Sequence, residues 1–572
     1  MTSKLTFLAG QKAEFLKKHR SSIKINVRHR TIMKHTSQFY MQIVGFLVPC
    51  LLFAGAYYQQ PLFSSNQNAY FLSGLARAGY GYLSSDWFVQ QTDIVPVFSA
   101  MVSLVYSFGS HWIFYALHGA IAAIYAISLF AITTRSSVST FRLQQTAVFF
   151  SLLTFVHSPW ILDHFSTLLP GLRGVIAVIQ EVTASSTDGL AAQFILGRYL
   201  QPSAFGVLLL TSLALFIYGK EHMAILCAVV AATIHPSLIL HAGILIAAYM
   251  TLLISEKRVW KAAKIGTLAL VLILPIVLYV GDRFFFSDTQ AIHSVGQAIS
   301  AEVRQPHHAK ISVWFSKWSC FQLAIVFAGL MLSRQCKRLF IILLACSIAA
   351  VGLTLLQVIS GSPALALLFP WRTSAWLIPV CTAIVLGNVS VFVGTLINMI
   401  PAHRIRGLSG KCVVVLSISF LGAVFLLGVD RTISEARADR DYGTVISYAR
   451  MHSGREQTYL IPLNLERFRL AAGLPVFVDW KCCPYRSSEI IEWYDRVRLA
   501  RAFYEAKNST DAIVAWTNIQ EHARVTHVIV EGKTNHLRDI VQARFKFRDS
   551  EHVVYEIRDD EDVEQSNALD EE

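Results

Sequence analysis

The segment SAWLIPVCTAIVLGNVSVFVGTLI, residues 374–397, contains no charged side chain. A helix of about 20 consecutive apolar residues is long enough to span the hydrocarbon core of a bilayer. Comparable runs follow one another at 39–58, 111–133, 223–253, 265–280, 339–356 and 412–429. Only 15% of the 572 residues are charged and 54% are hydrophobic, with a mean hydropathy of +0.47, whereas soluble domains are about 25% charged. The sequence therefore predicts an α-helical polytopic membrane protein.

The distribution of lysine and arginine predicts the orientation of this protein. We expect about eleven transmembrane helices, at roughly 39–58, 111–133, 146–160, 204–218, 223–235, 238–254, 265–281, 320–332, 339–356, 374–398 and 412–429. With the amino terminus inside, the short inner loops hold 13 Lys or Arg in 45 residues, and the outer loops hold 8 in 152. Short cytoplasmic loops carry an excess of positive charge. The pattern thus predicts a bacterial inner-membrane protein with a cytoplasmic amino terminus.

Composition changes along the chain predict four regions. Residues 1–37 form a basic cytoplasmic arm, and residues 38–430 form the transmembrane domain with a large first outer loop at 59–110. After residue 430 the apolar runs shorten to strand length, with strands expected at 457–463, 474–480 and 525–531 and helices at 487–506 and 510–522. Residues 431–558 are therefore predicted to be a small extracytoplasmic α/β domain, followed by an acidic disordered tail at 559–572.

The net charge of +13 does not predict nucleic-acid binding, because nine of the basic residues lie in the amino-terminal arm. Such an arm beside a first transmembrane helix fixes topology and contacts anionic lipid. The bilayer is accordingly the first predicted partner. Nine cysteines show no CxxC pair, which argues against a structural zinc site.

Ionisable residues gather at the predicted outer ends of the helices, where burial in lipid is costly. The first loop contributes Asp86, beside Trp87 and Phe88, and Asp93, which precedes the short apolar run 94–108. That run contains Pro96 and is too short to span, so we expect a surface-lying or re-entrant segment. The later loops contribute Asp163, His164, Arg198, His235, Arg304, His307, His308 and Arg372.

Together these residues predict a polar cavity that opens outward. Some have simpler interpretations: His235 precedes Pro236 and could close a helix by hydrogen bonding, Arg372 could be an interfacial anchor, and the pair His307–His308 could bind a metal or a phosphate or lie in a solvated loop. In the carboxyl-terminal domain, DWKCCPY and EIIEWYDR place Lys481 and Arg496 after a predicted strand, and we expect them to face the membrane above the cavity.

Acids opposite cations at the membrane surface suit sugar transfer from a polyprenyl-phosphate donor. Cations offset the charge of the phosphate leaving group, and a carboxylate can take the proton of an acceptor hydroxyl. The acceptor, whether glycan, lipid or protein, stays open. So does the cofactor, because the spacing of the acids does not indicate a divalent metal site.

The chain resembles the GT-C superfamily of membrane glycosyltransferases. The resemblance rests on an acidic first loop with LSSDWF between two predicted surface helices, 66–78 and 94–108, and on the outer carboxyl-terminal domain. More closely, the chain is similar to a group of bacterial GT-C-like polytopic proteins through the phrases GRYLQPS, IHPSL, RQPHH, FPWRTSAWLIP and FRLAAGLPVFVDWKCCPY. The resemblance covers most of the chain from about residue 60 to 560.

The resemblance also implies roles for individual residues. Asp86 matches the first-loop acid that serves as the catalytic base, with Asp93 as the second acid. Donor-phosphate binding is expected at Arg198, Arg304, His307, His308 and Arg372, and Asp163, His164, His235 and Lys481 are expected to line the cavity. The chain departs from the usual signature of adjacent or closely spaced acids, since no acid lies between Asp86 and Asp93.

Two other functions fit the same pattern. A transporter or flippase of a lipid-linked or anionic substrate would use the same cavity with alternating access; paired halves with matching broken helices, common in transporters, are not evident in the sequence. A non-enzymatic membrane assembly protein would use the outer domain to bind a partner. The ionisable residues at membrane depth argue against a mere anchor.

Overall fold

The computed structural model of the protein describes residues 47–137, 141–399, 406–438, 443–532 and 543–557. The predicted basic arm and acidic tail lie outside these ranges. The chain divides into two compact units, residues 1–52 and 53–572. Of the first unit the structure describes residues 47–52, which begin the first helix, and the site described below lies in the second.

Residues 47–438 are largely helical. In chain order the helices are α1 (Leu47–Ala56), α2 (Gln67–Tyr70), α3 (Leu72–Arg77), α4 (Pro96–Ser107), α5 (Trp112–Ser136), α6 (Leu143–His157), α7 (Trp160–Leu168), α8 (Arg173–Thr187), α9 (Val207–Ile217), α10 (Glu221–Ile234), α11 (Ile239–Ser255), α12 (Val259–Val280), α13 (Gln290–Ile299), α14 (Pro306–Ala309), α15 (Ile311–Trp314), α16 (Lys317–Ser333), α17 (Lys337–Ser360), α18 (Pro363–Leu367), α19 (Ser374–Met399) and α20 (Arg406–Ala438).

The protein is a polytopic α-helical membrane protein. Six helical segments are long and apolar enough to cross a bilayer: Trp112–Ser136, Pro236–Ser255, Val259–Phe285, Lys337–Ser360, Pro363–Ile397 and Gly410–Ala438. Each coincides with a predicted transmembrane helix, and four of the other five coincide with the shorter helices α6, α9, α10 and α16. Of the fifth, predicted at 39–58, residues 47–56 form α1, and residues 39–46 lie outside the described ranges. Many apolar side chains of these helices are exposed, such as Leu355 and Leu416, as expected for surfaces that face lipid. The predicted orientation in the membrane stays a prediction.

The first long loop follows the sequence prediction closely. The predicted surface helix 66–78 is formed by α2 and α3, and the apolar run 94–108 forms α4, which begins at Pro96 in the first helical turn, where proline is favoured. Helix α4 packs on α3 through Gly74, where a Cβ would come within 2.5 Å of the Ser99 carbonyl oxygen. The loop is thus a compact layer of helices.

The carboxyl-terminal region is a small α/β domain. Its helices are α21 (Gly443–Met451), α22 (Phe468–Ala472), α23 (Ser487–Tyr504) and α24 (Ser509–His522), and its strands are β1 (Tyr459–Leu460), β2 (His527–Glu531), β3 (Ala543–Arg548) and β4 (His552–Ile557). The strands form one sheet in the order β1-β2-β4-β3, parallel between β1 and β2 and antiparallel elsewhere. The α23 and α24 predictions are confirmed.

The strand predicted at 474–480 is wrong in extent. The structure forms a single bridge there, between Tyr459 and Val476, because Asp479 turns the chain by accepting the amide hydrogens of Lys481 and Cys482. The apolar residues Val476, Phe477 and Val478 are nevertheless buried. Their hydrophobicity reflects the core of the domain and not a longer strand.

Two glycines bring the first long loop against this domain. The Tyr82 amide donates to the Gly473 carbonyl oxygen at 2.8 Å, and a Cβ on Gly81 would lie 2.3 Å from that same oxygen. Both glycines have positive φ, +56° and +71°, which residues with a side chain adopt at a cost. This close backbone contact fixes the carboxyl-terminal domain against the first long loop, and both contribute to the cavity described next.

Candidate functional site

A cavity of about 560 Å³ lies between the helices and the carboxyl-terminal domain. Its wall combines parts of the first long loop, the segment after α8, the ends of α12 and α18, and the loop that follows Asp479. The cavity collects six of the residues expected at a site: His235, Arg304, His307, His308, Arg372 and Lys481. These come from four different parts of the sequence. Of the predicted residues, the cations Arg304, Arg372 and Lys481 thus line one cavity, whereas the predicted acids do not.

Arg372 enters the cavity from a 3₁₀ turn, Pro370–Thr373, just before α19. The residue before the turn, Phe369, has a φ of +47°, an uncommon conformation for a bulky side chain. Its ring lies 4.8 Å from the guanidinium, and Arg372 Nε donates to Gln193 Oε1 at 2.7 Å. The Nη1 atom is buried and has no hydrogen-bond partner among the described residues. One donor face of Arg372 is thus unused.

The segment that presents Gln193 is itself strained. Ala191 and Ala192 have φ values of +56° and +53°, and such residues persist where the surroundings over-determine them, often at functional sites. Here the surroundings are tight: the Leu190 amide donates to Ser374 Oγ at 2.8 Å, and the Ala191 carbonyl contacts His308 Nδ1 at 2.7 Å. This strained backbone fixes both the Gln193 amide and the His308 ring.

Arg304 and Lys481 lie next to each other in the cavity wall. Arg304 Nη2 donates to the Lys481 carbonyl oxygen at 3.2 Å, and its guanidinium lies 5.9 Å from the Trp480 ring centre. Burial lowers the pKa of Lys481, as does Arg304, whereas Glu466 opposes the shift. The lowered pKa of Lys481 reflects two cations held close together in a partly buried environment.

The rings of the paired histidines lie beside these cations, with centres 4.1 Å apart and planes tilted by 50°. Burial lowers the pKa of His308 to about 3, with a further contribution from His307. Burial also lowers the pKa of His307, helped by Arg304 and Lys481. Both rings are therefore neutral near pH 7. The single N–H of His308 is donated to the Ala191 carbonyl oxygen, so only His307 has an N–H to donate to an anion.

His235 has the surroundings of a ligand-facing residue as well as a helix-end residue. It follows the last turn of α10, and its Nε2 atom contacts Ser237 Oγ at 2.7 Å, as the helix-end interpretation predicts. The side chain is 7% exposed, lines the cavity, and keeps Nδ1 without a partner in the described part of the chain. Tyr70 packs edge-on against it and shares a hydrogen bond of 3.0 Å with Tyr485.

Another part of the cavity wall is apolar. Phe284 and Phe285 come from the end of α12, Leu367 and Leu368 from the end of α18, and Ile94 from the first long loop. Phe285 is 59% exposed and Leu368 is 43% exposed, so this side of the cavity reaches the protein surface. None of the described residues that line the cavity is an aspartate or a glutamate. The site is cationic at one end and apolar at the other.

Asp86, predicted as the catalytic base, lies outside this cavity. Its side chain is fully buried and forms an ion pair with Arg469, which also pairs with Asp479, at 2.9 and 2.7 Å. The guanidinium is not well aligned with these oxygens, so the contacts are ionic and not well-formed hydrogen bonds. Asp86 also accepts the amide hydrogens of Phe88 and Val476, at 2.9 and 3.0 Å. We call these three side chains the Asp86–Arg469–Asp479 triad.

In this geometry the triad joins the first long loop to the carboxyl-terminal domain. Burial raises the pKa of Asp86, while Arg469 and the two amide donors oppose that shift. The two carboxylates raise the pKa of Arg469 against the effect of burial, so it stays charged. Both Asp86 oxygens are occupied by protein groups. The structure thus gives the catalytic-base prediction no support and places Asp86 at the junction of the first long loop and the carboxyl-terminal domain.

Three other predicted residues do not line the cavity. Asp93 pairs with Arg77 at 2.7 Å and accepts the Val95 amide hydrogen just before α4, so it stabilises the start of that helix. Asp163 is exposed and accepts a hydrogen bond from Gln180. Arg198 stacks over Tyr58 at 5.9 Å. The side chain of His164 lies outside the described part of the structure.

Several cavity residues were not anticipated from the sequence. They are Tyr70, Gln193, His293, Gln305 and Tyr485. Uncharged polar residues at helix ends carry little signal of their own. Of the predicted outer-domain cluster, Lys481 lines the cavity, whereas Trp493 is buried in the domain core and Arg496 packs between Trp87 and Phe477. Among the described residues, no three His, Cys, Asp or Glu side chains are grouped to hold a metal ion.

Comparison with known proteins gives a partial match and two similar structures. A family model described as a domain of unknown function, DUF6798, matches residues 440–500, which include Arg469, Asp479 and Lys481. No curated protein matches the sequence at a significant level. ArnT from Cupriavidus metallidurans is similar in its apo state, with 11% identity and a TM-score of 0.42, over 91% of this chain and 98% of that chain. Its structure bound to undecaprenyl phosphate gives the same identity and coverage with a TM-score of 0.44. Likeness at this level is too low to assign an activity.

Proposed function

We propose that the protein is a membrane glycosyltransferase that takes its sugar from a polyprenyl-phosphate-linked donor. The observation that supports this proposal is the cavity, which combines cations, none of them paired with a described lining carboxylate, with an apolar side. A buried cation without a counter-ion is costly, so a cationic cavity without a lining carboxylate favours an anionic ligand. The apolar side, at Phe285 and Leu368, suits the isoprenoid chain of the same molecule.

Arg372 is the residue we expect to bind the phosphate most directly. Its Nε is held by Gln193 while Nη1 has no partner among the described residues, so the guanidinium is oriented before a ligand arrives. Arg304 and Lys481 add charge, and His307 adds a neutral donor. During transfer the phosphate gains negative charge as the sugar leaves, and fixed donors that face this charge lower the barrier.

The proposal includes a location. Because the short loops of the predicted inner side are rich in lysine and arginine, we expect the cavity to open toward the periplasm of a bacterial inner membrane. The sugar and the acceptor, whether glycan, lipid or protein, are not specified by the cavity. A flippase of a lipid-linked substrate is the competing function, and it would also bind the phosphate.

Binding of undecaprenyl phosphate by the purified full-length protein in detergent tests the first step. Replacing Arg372 with Gln removes the charge and the free donor. Charge-assisted hydrogen bonds contribute about 1.5–3 kcal/mol, so affinity should fall roughly 10- to 100-fold. The control is Arg498→Gln, since Arg498 is 68% exposed on α23. Equal affinity of R372Q and wild type would contradict the proposed phosphate site.

Turnover separates transfer from transport. Purified protein should release undecaprenyl phosphate from an undecaprenyl-phosphate-linked hexose in the presence of membranes from cells that lack the gene, which supply the acceptor. In sealed vesicles without acceptor, the same donor should stay on its original leaflet. Movement of the donor across the vesicle membrane without release of the lipid phosphate would favour a flippase instead.

A further inference from the structure

No described residue in the cavity wall is a carboxylate, and Asp86 is buried in the triad. A hydroxyl acceptor must lose a proton as it attacks, and the wall residues His307 and His308 are weak bases because burial and the neighbouring cations lower their pKa. Carboxylates beside the cavity are the alternative. Glu302 is 60% exposed and faces Lys310 at 3.8 Å, and Glu489 accepts hydrogen bonds from the Thr92 amide and hydroxyl. Glu466 differs from both.

Glu466 lies on a short segment that is fixed at both ends to parts of the cavity wall. Three residues before it, the Leu463 carbonyl accepts the Trp480 amide hydrogen at 3.1 Å, which aligns the segment with the loop that carries Lys481. The residue after it, Arg467, reaches the Leu62 carbonyl oxygen at 3.5 Å, next to the part of the first long loop that lines the cavity. Glu466 is thereby held at the cavity rim.

Electrostatic interactions of Glu466 are consistent with a position beside the cavity. Its carboxylate interacts electrostatically with Lys481 and Arg304, and it contributes to the raised pKa of the Tyr199 hydroxyl. All three of these residues line the cavity. The side chain is half-buried, and the structure describes no hydrogen bond or ion pair for its carboxylate. Glu466 is therefore an accessible carboxylate beside the proposed phosphate-binding cations.

We propose that Glu466 is the catalytic base of the transfer, an inference that rests on the proposed function. The acceptor hydroxyl oxygen forms a bond with the anomeric carbon of the donor sugar. The bond between that carbon and the phosphate oxygen breaks, and its electron pair leaves with the lipid phosphate. The hydroxyl proton passes to the Glu466 carboxylate and from there to water. Arg304 and Lys481 stabilise the departing phosphate.

The local electrostatics suit this role. Burial raises the pKa of Glu466; Asp479 adds to the shift, and Lys481 and Arg304 oppose it. A carboxylate with a raised pKa is a stronger base than one in water, yet it is still ionised near neutral pH when cations lie beside it. The base and the phosphate-binding groups would then depend on one another, since each tunes the charge of the other.

The test compares Glu466→Gln and Glu466→Asp with the control Glu302→Gln, using purified full-length protein. The donors are undecaprenyl phosphate linked to glucose, mannose or galactose, assayed in parallel with membranes from cells that lack the gene. E466Q should release undecaprenyl phosphate about 10²- to 10⁴-fold more slowly without losing affinity for that lipid. E466D should recover part of the rate, and E302Q should match wild type. The wild-type rate should fall as acid protonates Glu466, and the residual E466Q rate should lack this decline.

The outcomes separate the two proposals. A wild-type rate in E466Q would overturn the role of Glu466 and leave the transferase proposal standing. Lipid binding by wild type without release from any donor would overturn the transferase proposal, and with it the base. Loss of lipid binding in both E466Q and E466D would assign Glu466 to the fold and overturn its catalytic role.

Discussion

Replacing Asp86 with Asn should destabilise the protein strongly, because the change breaks the Asp86–Arg469–Asp479 triad. Arg469 is fully buried between two carboxylates, 2.9 and 2.7 Å away. Removing one partner of a buried ion pair costs about 3–5 kcal/mol. Asparagine also has a single acceptor oxygen, whereas Asp86 accepts two amide hydrogens and faces the guanidinium. The amide group must therefore set a donor against a donor, which adds to the loss.

The measurement is thermal unfolding of the purified protein in detergent, together with its abundance in membranes. Asp93→Asn is the matched control in the same loop. Its partner Arg77 is 47% exposed, so this pair contributes about 0–1 kcal/mol, and asparagine can still accept the Val95 amide hydrogen. A third variant, D86N combined with Arg469→Met and Asp479→Asn, removes every charge of the triad and should recover much of the stability lost in D86N.

Either of two results would contradict this reasoning. If D86N kept wild-type stability and abundance but lost transfer about 10²- to 10⁴-fold, Asp86 would be the base that the family resemblance implies. Equal destabilisation by D86N and D93N would also contradict the argument, since the two pairs differ mainly in burial.

Two further interfaces can be tested in the same way. Gly81→Ala places a methyl group 2.3 Å from the Gly473 carbonyl oxygen and should destabilise the protein. The control is Gly79→Ala, whose Cβ would meet nothing within 4 Å and which should cost about 1 kcal/mol for its positive φ. Thermal unfolding should show a clearly larger loss of stability for G81A than for G79A. Burial acts to raise the pKa of Asp288, but hydrogen bonds from Arg486 and Ser488 outweigh this effect and lower the pKa. A lowered pKa contributes stability above the unfolded-state value, and this contribution is lost as pH falls through the folded-state value. Hydrogen exchange around Asp288 should therefore increase below about pH 4 in wild type, and Asp288→Asn should abolish this dependence.

The membrane architecture could be predicted because its signal is local. Hydropathy in a window of about 20 residues marks a spanning helix whatever its neighbours are, so every predicted crossing coincides with a helix. The cavity cations could be found for a similar reason: Arg372 and the pair His307–His308 stand out against apolar surroundings, where charge is costly.

The environment of Asp86 could not be predicted in this way. An acid between two apolar segments shows that something must compensate its charge, but the sequence does not say what. Here the compensation comes from Arg469 and from the Val476 amide, 390 positions further along the chain. Strand β3 was missed because ARFKFR alternates charged and apolar residues on an edge with Phe545 exposed, which a search for continuous apolar runs passes over.

The triad also has a consequence for how the protein is made. Asp86 leaves the ribosome long before its partners, and at about 5–20 residues per second the 390 residues up to Val476 take roughly 20–80 s to synthesise. During that interval the carboxylate has no cation to pair with and must remain in water. The first long loop therefore cannot adopt its final packing while the membrane helices are being inserted. Completion of the cavity becomes one of the last events of assembly, and a chain that stops before Arg469 would keep a hydrated, open first loop that proteases can recognise.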